Sequence, residues 1–147
     1  MKNILLLTLL TTALSFATLS HAADATLEAS AKEPGAVVTA SGLVYNSLKN
    51  GTGDSPKASD TVKVNYRGTF PDGKEFDSSY KRNKAIEFPL QNVIPCWTEG
   101  VQRMKVGGKA KLTCPAAIAY GSRGAGGVIP PNATLLFEVE LLAINGK

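Results

Sequence analysis

Tyr66, Phe76, Phe88, Trp97, Tyr120 and Phe137 each fall on an apolar strand face or beside a turn, and with Val93, Ile94 and Ile129 they can line one apolar pocket. A pocket of this kind acts by excluding water and by orienting a few polar groups, not by covalent attack. Asp77 directly follows Phe76 and, read from its neighbours alone, fits a cap for the Ser78-Ser79 turn. Arg82, within "YKRNK", is either a solvated charge or a partner for Asp77. Inward-facing aromatics such as Trp97 and Phe137 are equally what an ordinary core is built from. Tyr120 also fits a core tyrosine whose hydroxyl is satisfied.

The other chemistries are poorly served. "MKNILLLTLLTTALSFATLSHAAD" begins with a lysine, continues with an apolar run from Ile4 to Leu19, and ends with small residues at Ser20 and Ala22. It reads as a signal peptide, residues 1–22, cleaved after Ala22. The run is diluted by Thr and Ser and is short for a span, so no stable membrane anchor is expected. His21 is the single histidine of the chain. Cleavage removes it, which leaves neither Ser–His–Asp nor Cys–His machinery nor a histidine-based metal site. No metal and no cofactor are expected. The net charge of +4 comes from scattered Lys and Arg, which does not suggest nucleic acid as a partner.

Two cysteines remain, Cys96 and Cys114, and their spacing is not the CxxC of a redox centre. In an exported chain they form a disulfide or stay as two separate buried thiols. The bridge is the hypothesis preferred here, since Cys114 points inward on a strand and Cys96 opens the helix that packs there. Export places the protein in the periplasm, with secretion as the second choice.

The elements that position these residues follow from periodicity. Residues 23–40 are Ala-rich, polar and broken by Pro-Gly, and read as a flexible lead-in; the folded domain is expected over 41–147. "GLVYNSLKNG" alternates with Leu43, Tyr45 and Ser47 on one side. "DTVKVNYRGTF" alternates strictly, with Val62, Val64 and Tyr66 inward. Asp72-Gly73 marks a tight turn. "AIEFPL" sets Ile86 and Phe88 on one face. "VIPCWTEGVQRMKVGGK" is the one good helix candidate, with Pro95 in its first turn, Trp97, Val101 and Met104 on one stripe, and Gly107-Gly108 as its stop. "KAKLTC" turns Ala110, Leu112 and Cys114 inward, and "TLLFEVELLAI" turns Phe137, Val139 and Leu141 inward. Strands with one short helix predict an α+β domain, an antiparallel sheet covering a helix on one face.

Three blocks, "VNYRGTFPDGKEFDSS", "VIPCWTEGVQRMKVGGKAKL" and "AYGSRGAGGVIPPNATLLFEVELL", resemble in this order the FKBP-type peptidyl-prolyl isomerases. The resemblance covers about residues 41 to 147. It implies a strongly bent antiparallel sheet of five to six strands wrapped around one short α-helix, with a cleft between the sheet and the helix end. Carried over position by position, Tyr66 and Phe76 form one wall and Phe88 and Phe137 the other. Asp77 stands at the edge with Arg82 nearby, and Trp97 is the floor. Val93 and Ile94 offer apolar surface and a backbone N–H, Tyr120 presents its hydroxyl, and Val128 and Ile129 overhang as a flap. Ile86 stands where the family often has an aromatic, Ala125 where it has larger flap residues, and Cys96 where glycine is frequent.

The implied activity is rotation of Xaa-Pro bonds in unfolded or flexible polypeptides, with tacrolimus- and rapamycin-type macrolides as inhibitors. The alternatives are a polypeptide-binding module or chaperone with little turnover and, made improbable by the missing histidine, a nucleophilic hydrolase. Some relatives carry a long helical dimerisation segment that the short lead-in does not resemble, so a monomer is expected. The loop before the last strand, with its glycines and Pro130-Pro131, is expected to present Ile129 to substrate.

Overall fold

The computed structural model describes residues 25–145; the expected signal peptide lies outside them. Helix α1 covers residues 25–31. It is followed by β1 (Ala36–Val38), β2 (Val44–Lys49), β3 (Thr61–Thr69), β4 (Glu75–Ser78), β5 (Ile86–Pro89), α2 (Pro95–Gln102), β6 (Lys109–Cys114) and β7 (Leu135–Asn145). Single 3₁₀ turns occupy Leu90–Asn92 and Ala116–Ile118.

All seven strands join one antiparallel sheet in the order β1-β2-β6-β7-β3-β4, with β5 also on β3. The two longest strands, β3 and β7, pair along nearly their whole length, and register shifts at Lys63/Val64 and Gly68/Thr69 bend β3. Strict alternation explains the burial. Val62, Val64 and Tyr66 of β3, Ala110, Leu112 and Cys114 of β6, and Phe137, Val139 and Leu141 of β7 all face the core. Helix α2 lies on that face through Cys96, Trp97 and Val101. A helix of eight residues has little stability alone, so this packing is what holds it.

Strands β4 and β5 share one edge of β3: Arg67 to Thr69 pair with β4 and Thr61 to Val64 with β5. Ser79 fills the gap between them. Its backbone N–H donates to Tyr66 O at 3.0 Å, and its Oγ accepts from the Tyr66 N–H at 2.8 Å. The ladder thus continues through a residue that belongs to neither strand, and residues 79–85 are free to bulge outward and carry Arg82.

Four expectations are corrected. The 23–40 segment is not a loose lead-in within its described part: it supplies α1 and β1, and β1 pairs with β2. Ser30 is buried and shares a hydrogen bond with the buried Thr113 at 2.9 Å, while Lys111 Nζ reaches Glu33 Oε1 at 2.5 Å. The sheet therefore has seven strands rather than five or six, and the described residues hold two helices rather than one. This cover also buries the other face of β2: Val44 and Asn46 lie beneath the added segment, whereas Ser47, on the side of Leu43 and Tyr45, is exposed. Helix α2 stops at Gln102, short of Gly107-Gly108. Those glycines instead dock on β7, with the Gly107 N–H donating to Leu141 O at 2.9 Å and the Leu141 N–H to Gly108 O at 3.0 Å.

Candidate active site

The N-terminus of α2 and the concave face of the sheet enclose a cavity of about 600 Å³. Its lining brings together Tyr66, Phe76, Asp77, Ile86, Phe88, Val93, Ile94, Trp97, Tyr120 and Phe137. Pro95 at the first helical turn sets where α2 begins, so Ile94 caps it and Trp97 drops to the floor. Trp97 is the hub of the rings. Tyr66 and Phe137 meet it edge-on at 5.1 and 5.3 Å between centroids, and Phe88 leans on it at 5.6 Å. Phe76 meets Phe137 edge-on at 5.6 Å and is backed by Phe70 at 4.9 Å. Edge-on contacts of this kind favour one mutual orientation of the rings. The indole Nε1 of Trp97 is buried without a hydrogen-bond partner among the described residues.

The polar edge is a three-residue network. Tyr66 donates its hydroxyl proton to Asp77 Oδ2, Arg82 Nη1 lies 2.5 Å from Asp77 Oδ1, and Arg82 Nη2 donates to the Tyr66 hydroxyl oxygen at 3.1 Å. The guanidinium also sits 5.9 Å from the centre of the Tyr66 ring. Burial pushes the Asp77 carboxyl up, but the hydrogen bonds from Tyr66 and Arg82 outweigh it and hold the group below its ordinary range. Burial, then the bond to Asp77, raises the Tyr66 phenol. The bonds to Asp77 and Tyr66 raise the Arg82 guanidinium. Tyr120 is raised by burial and by the Asp77 charge. At neutral pH Asp77 is therefore a carboxylate with its charge engaged, and both phenols are protonated donors.

Arg82, Val128 and Ile129 do not line the cavity. Arg82 is joined to the lining only through its bonds to Asp77 and Tyr66. The flap closes on itself: Ala125 and Ile129 exchange backbone hydrogen bonds at 2.9 and 3.0 Å. Gly124 makes this closure, since its φ is +64° and a Cβ there would lie 2.1 Å from Ile129 O. Ile129 is thereby turned into the core, only 6% exposed, instead of toward a bound chain. Val128 points out and, with Phe70 and Pro130, borders a separate open groove.

Glu87 and Asn92 complete the lining and escaped the sequence reading. Glu87 occupies an outward position of β5, and Asn92 ends a 3₁₀ turn; neither carries a local signal of its own. Cys96 and Cys114 are joined by a disulfide with Cα atoms 5.9 Å apart, both sulfurs in the core, tying the first turn of α2 to the end of β6.

The fold and site define an α+β domain: an antiparallel sheet and a short helix around an aromatic cleft with a single engaged carboxylate. Residues 53–142 match the family described as FKBP-type peptidyl-prolyl cis-trans isomerase, and the chain belongs to that family. It is 54% identical over 114 residues to FKBP-type peptidyl-prolyl cis-trans isomerase FkpA of Escherichia coli K12, covering 78% of this chain and 42% of the relative. It is 57% identical over 118 residues to FkpA of Aeromonas hydrophila, covering 80% and 44%. The crystal structure of E. coli FkpA superposes with a TM-score of 0.82 at 50% identity, over 85% of this chain and 58% of that one. A peptidyl-prolyl isomerase from Pseudomonas syringae superposes with a TM-score of 0.80 at 38% identity, over 87% and 94%. The chain thus spans less than half the length of the two FkpA sequences it matches.

Proposed function

We propose that the chain is a peptidyl-prolyl cis-trans isomerase that accelerates rotation about Xaa-Pro bonds in unfolded or flexible polypeptides, acting as a monomer on exported proteins in the periplasm. The reading rests on the aromatic cavity floored by Trp97 with the Tyr66–Asp77–Arg82 network at its edge. Family membership supports it. Macrolides of the tacrolimus and rapamycin type are the expected competitors for the same cleft. No helix of the described residues is long and apolar enough to cross a membrane.

The mechanism follows from the electronic structure of the imide. Resonance sets a barrier of roughly 18–20 kcal/mol to rotation. Twisting the bond breaks that resonance, so the carbonyl oxygen loses charge and the nitrogen becomes amine-like. The twisted imide is less polar than the planar one, and a site with few water molecules disfavours the planar form more. That difference is transition-state complementarity. Shortening a step of tens of seconds to milliseconds needs about 10⁴-fold, or roughly 5–6 kcal/mol. Desolvation between Phe76, Trp97 and Phe137, with a hydrogen bond from the Tyr120 hydroxyl or the Ile94 N–H, is of that order. A proton transfer is not needed.

A second reading, a polypeptide-binding module with little turnover, uses the same pocket. A protease-coupled assay on an Xaa-Pro peptide separates the two. Turnover that falls about 10- to 100-fold in Phe137→Ala, with the circular dichroism spectrum intact, supports catalysis. Peptide binding without acceleration by the unaltered protein overturns it.

A further inference from the structure

Helix α2 carries the floor of the cleft, yet little besides packing ties it to the sheet. No side chain caps its N-terminus, where Ile94 stands, and among the described residues no backbone hydrogen bond joins it to a strand. Thr98 Oγ1 donates to Leu90 O at 2.8 Å, a bond to the turn just before the helix. Ser41 Oγ donates to Glu99 Oε2 at 2.5 Å, but on the exposed side. The Trp97 indole N–H has no partner among the described residues, so the ring's place follows from its backbone and from the rings around it. A helix of eight residues does not hold such a geometry by itself. Cys96 is the second residue of this helix, next to Trp97 and within one turn of Ile94, and its disulfide to Cys114 ties that turn covalently to β6.

The other end of the bridge leads to the opposite side of the cleft. Cys114 ends β6 and is followed by Pro115, with a φ of −63°, and by the 3₁₀ turn Ala116–Ile118. The Ala119 and Gly121 N–H groups both donate to Ala116 O, at 3.0 and 2.8 Å, so Tyr120 sits between two residues fixed on one carbonyl. Tyr120 therefore keeps a short, stiff path back to Cys114. Ile94 and Trp97 line the cleft from α2, and Tyr120 lines it from this path. The disulfide spans the two groups from behind: both cysteines are fully buried and neither lines the cleft.

We propose that the Cys96–Cys114 disulfide positions the catalytic groups, fixing the Trp97 floor and the Ile94 N–H against the Tyr120 hydroxyl. Cys96 and Cys114 are thus positioning residues for the isomerase reading, on which this inference rests. Without the bridge the strand pairing keeps the fold, while the first turn of α2 gains freedom relative to Tyr120. Hydrogen-bond donors act on a reacting bond only when held to a fraction of an ångström, and a misplacement of about 1 Å costs on the order of 100-fold.

The test compares one chain in two states. Protein reduced in denaturant with a phosphine and refolded in its presence differs from the oxidised protein only by the thiol hydrogens. The kcat/KM on an Xaa-Pro peptide is read by a protease-free relaxation assay, so that the reductant touches no coupling enzyme. Acrylamide quenching of Trp97, the single tryptophan of the chain, reports on the floor directly. Reduction should lower kcat/KM about 10- to 100-fold and raise the quenching constant, with the far-ultraviolet circular dichroism unchanged, and reoxidation should restore both. Cys96→Ala/Cys114→Ala should match the reduced protein. Leu141→Ala truncates a fully buried side chain of β7 outside the cleft lining, which lowers stability and leaves the bridge intact. Well below its melting temperature it should keep both readouts at the values of the unaltered protein. Unchanged kcat/KM and quenching in the reduced protein, or the same losses in Leu141→Ala, would overturn the proposal. An unaltered protein without turnover would end the isomerase reading instead, and the quenching would still decide whether the bridge positions the floor.

Discussion

The Tyr66 hydroxyl and the Asp77 carboxylate are joined by a hydrogen bond, and Arg82 binds both. Asp77 is held below the ordinary carboxylate range in spite of its burial. Its contribution to stability is therefore whole above the unfolded-chain value of about 4 and is lost as pH falls through the depressed folded value. Asp77→Asn should flatten the acid limb of a melting-temperature profile, and an unchanged limb would contradict this assignment. The side chain is two-fifths exposed, so solvent screening keeps the effect small. In the isomerase assay Asp77→Asn should lower kcat/KM about tenfold, the loss of one charge-assisted anchor for Tyr66.

Gly68 controls the width of the cleft. A Cβ there would lie 2.5 Å from Phe76 Cζ and 3.0 Å from Phe137 Cε1. Gly68→Ala should push the Phe76 ring into the cavity at a cost of about 1–3 kcal/mol. Denaturant unfolding and a macrolide-binding titration check this together: lower stability with weaker binding is expected, and unchanged binding would mean that the ring yields elsewhere.

The Cys96–Cys114 bridge closes a short loop of sequence separation 18 and lies entirely in the core. Its removal by Cys96→Ala/Cys114→Ala should cost about 2–4 kcal/mol in guanidinium unfolding while leaving the native spectrum intact. Ellman titration of the unfolded, unreduced protein should find no free thiol; two thiols would show that the bridge does not form in solution.

The N-terminal segment stabilises the domain it precedes. Glu33 accepts from Lys111 at 2.5 Å and from Asn46 at 3.3 Å, and the bond from Lys111 leads in holding its carboxyl below the ordinary range. Deleting residues 1–38 would turn β2 into a bare edge and uncover Val44 and Thr113. The truncated protein should unfold at lower denaturant and aggregate more readily on heating, whereas equal midpoints would mean that the segment merely rests on the sheet. Glu33→Gln should reproduce part of the loss at neutral pH and none of it in acid, where the carboxylate is already protonated.

Much of the fold and most of the cleft were legible in the amino-acid order, because period-two alternation records which face of a strand leaves water. That pattern marked the inward residues of β3, β6 and β7, and Asp72-Gly73 marked the hairpin turn, where Gly73 has a φ of +88°. The ring-bearing wall residues lay on those faces, so their convergence needed only the family resemblance to be anticipated. What lay beyond reach depended on partners distant in the chain. Ser30 and Glu33 look like tail residues until Thr113 and Lys111 meet them, more than seventy positions away. Ile129 faces inward because the flap pairs with itself through Gly124. Lys49 and Lys109 become neighbours only through the β2–β6 register. Local periodicity reports one-sided burial, but what covers the other face, and which charges end up opposed, is decided when the strands choose their register.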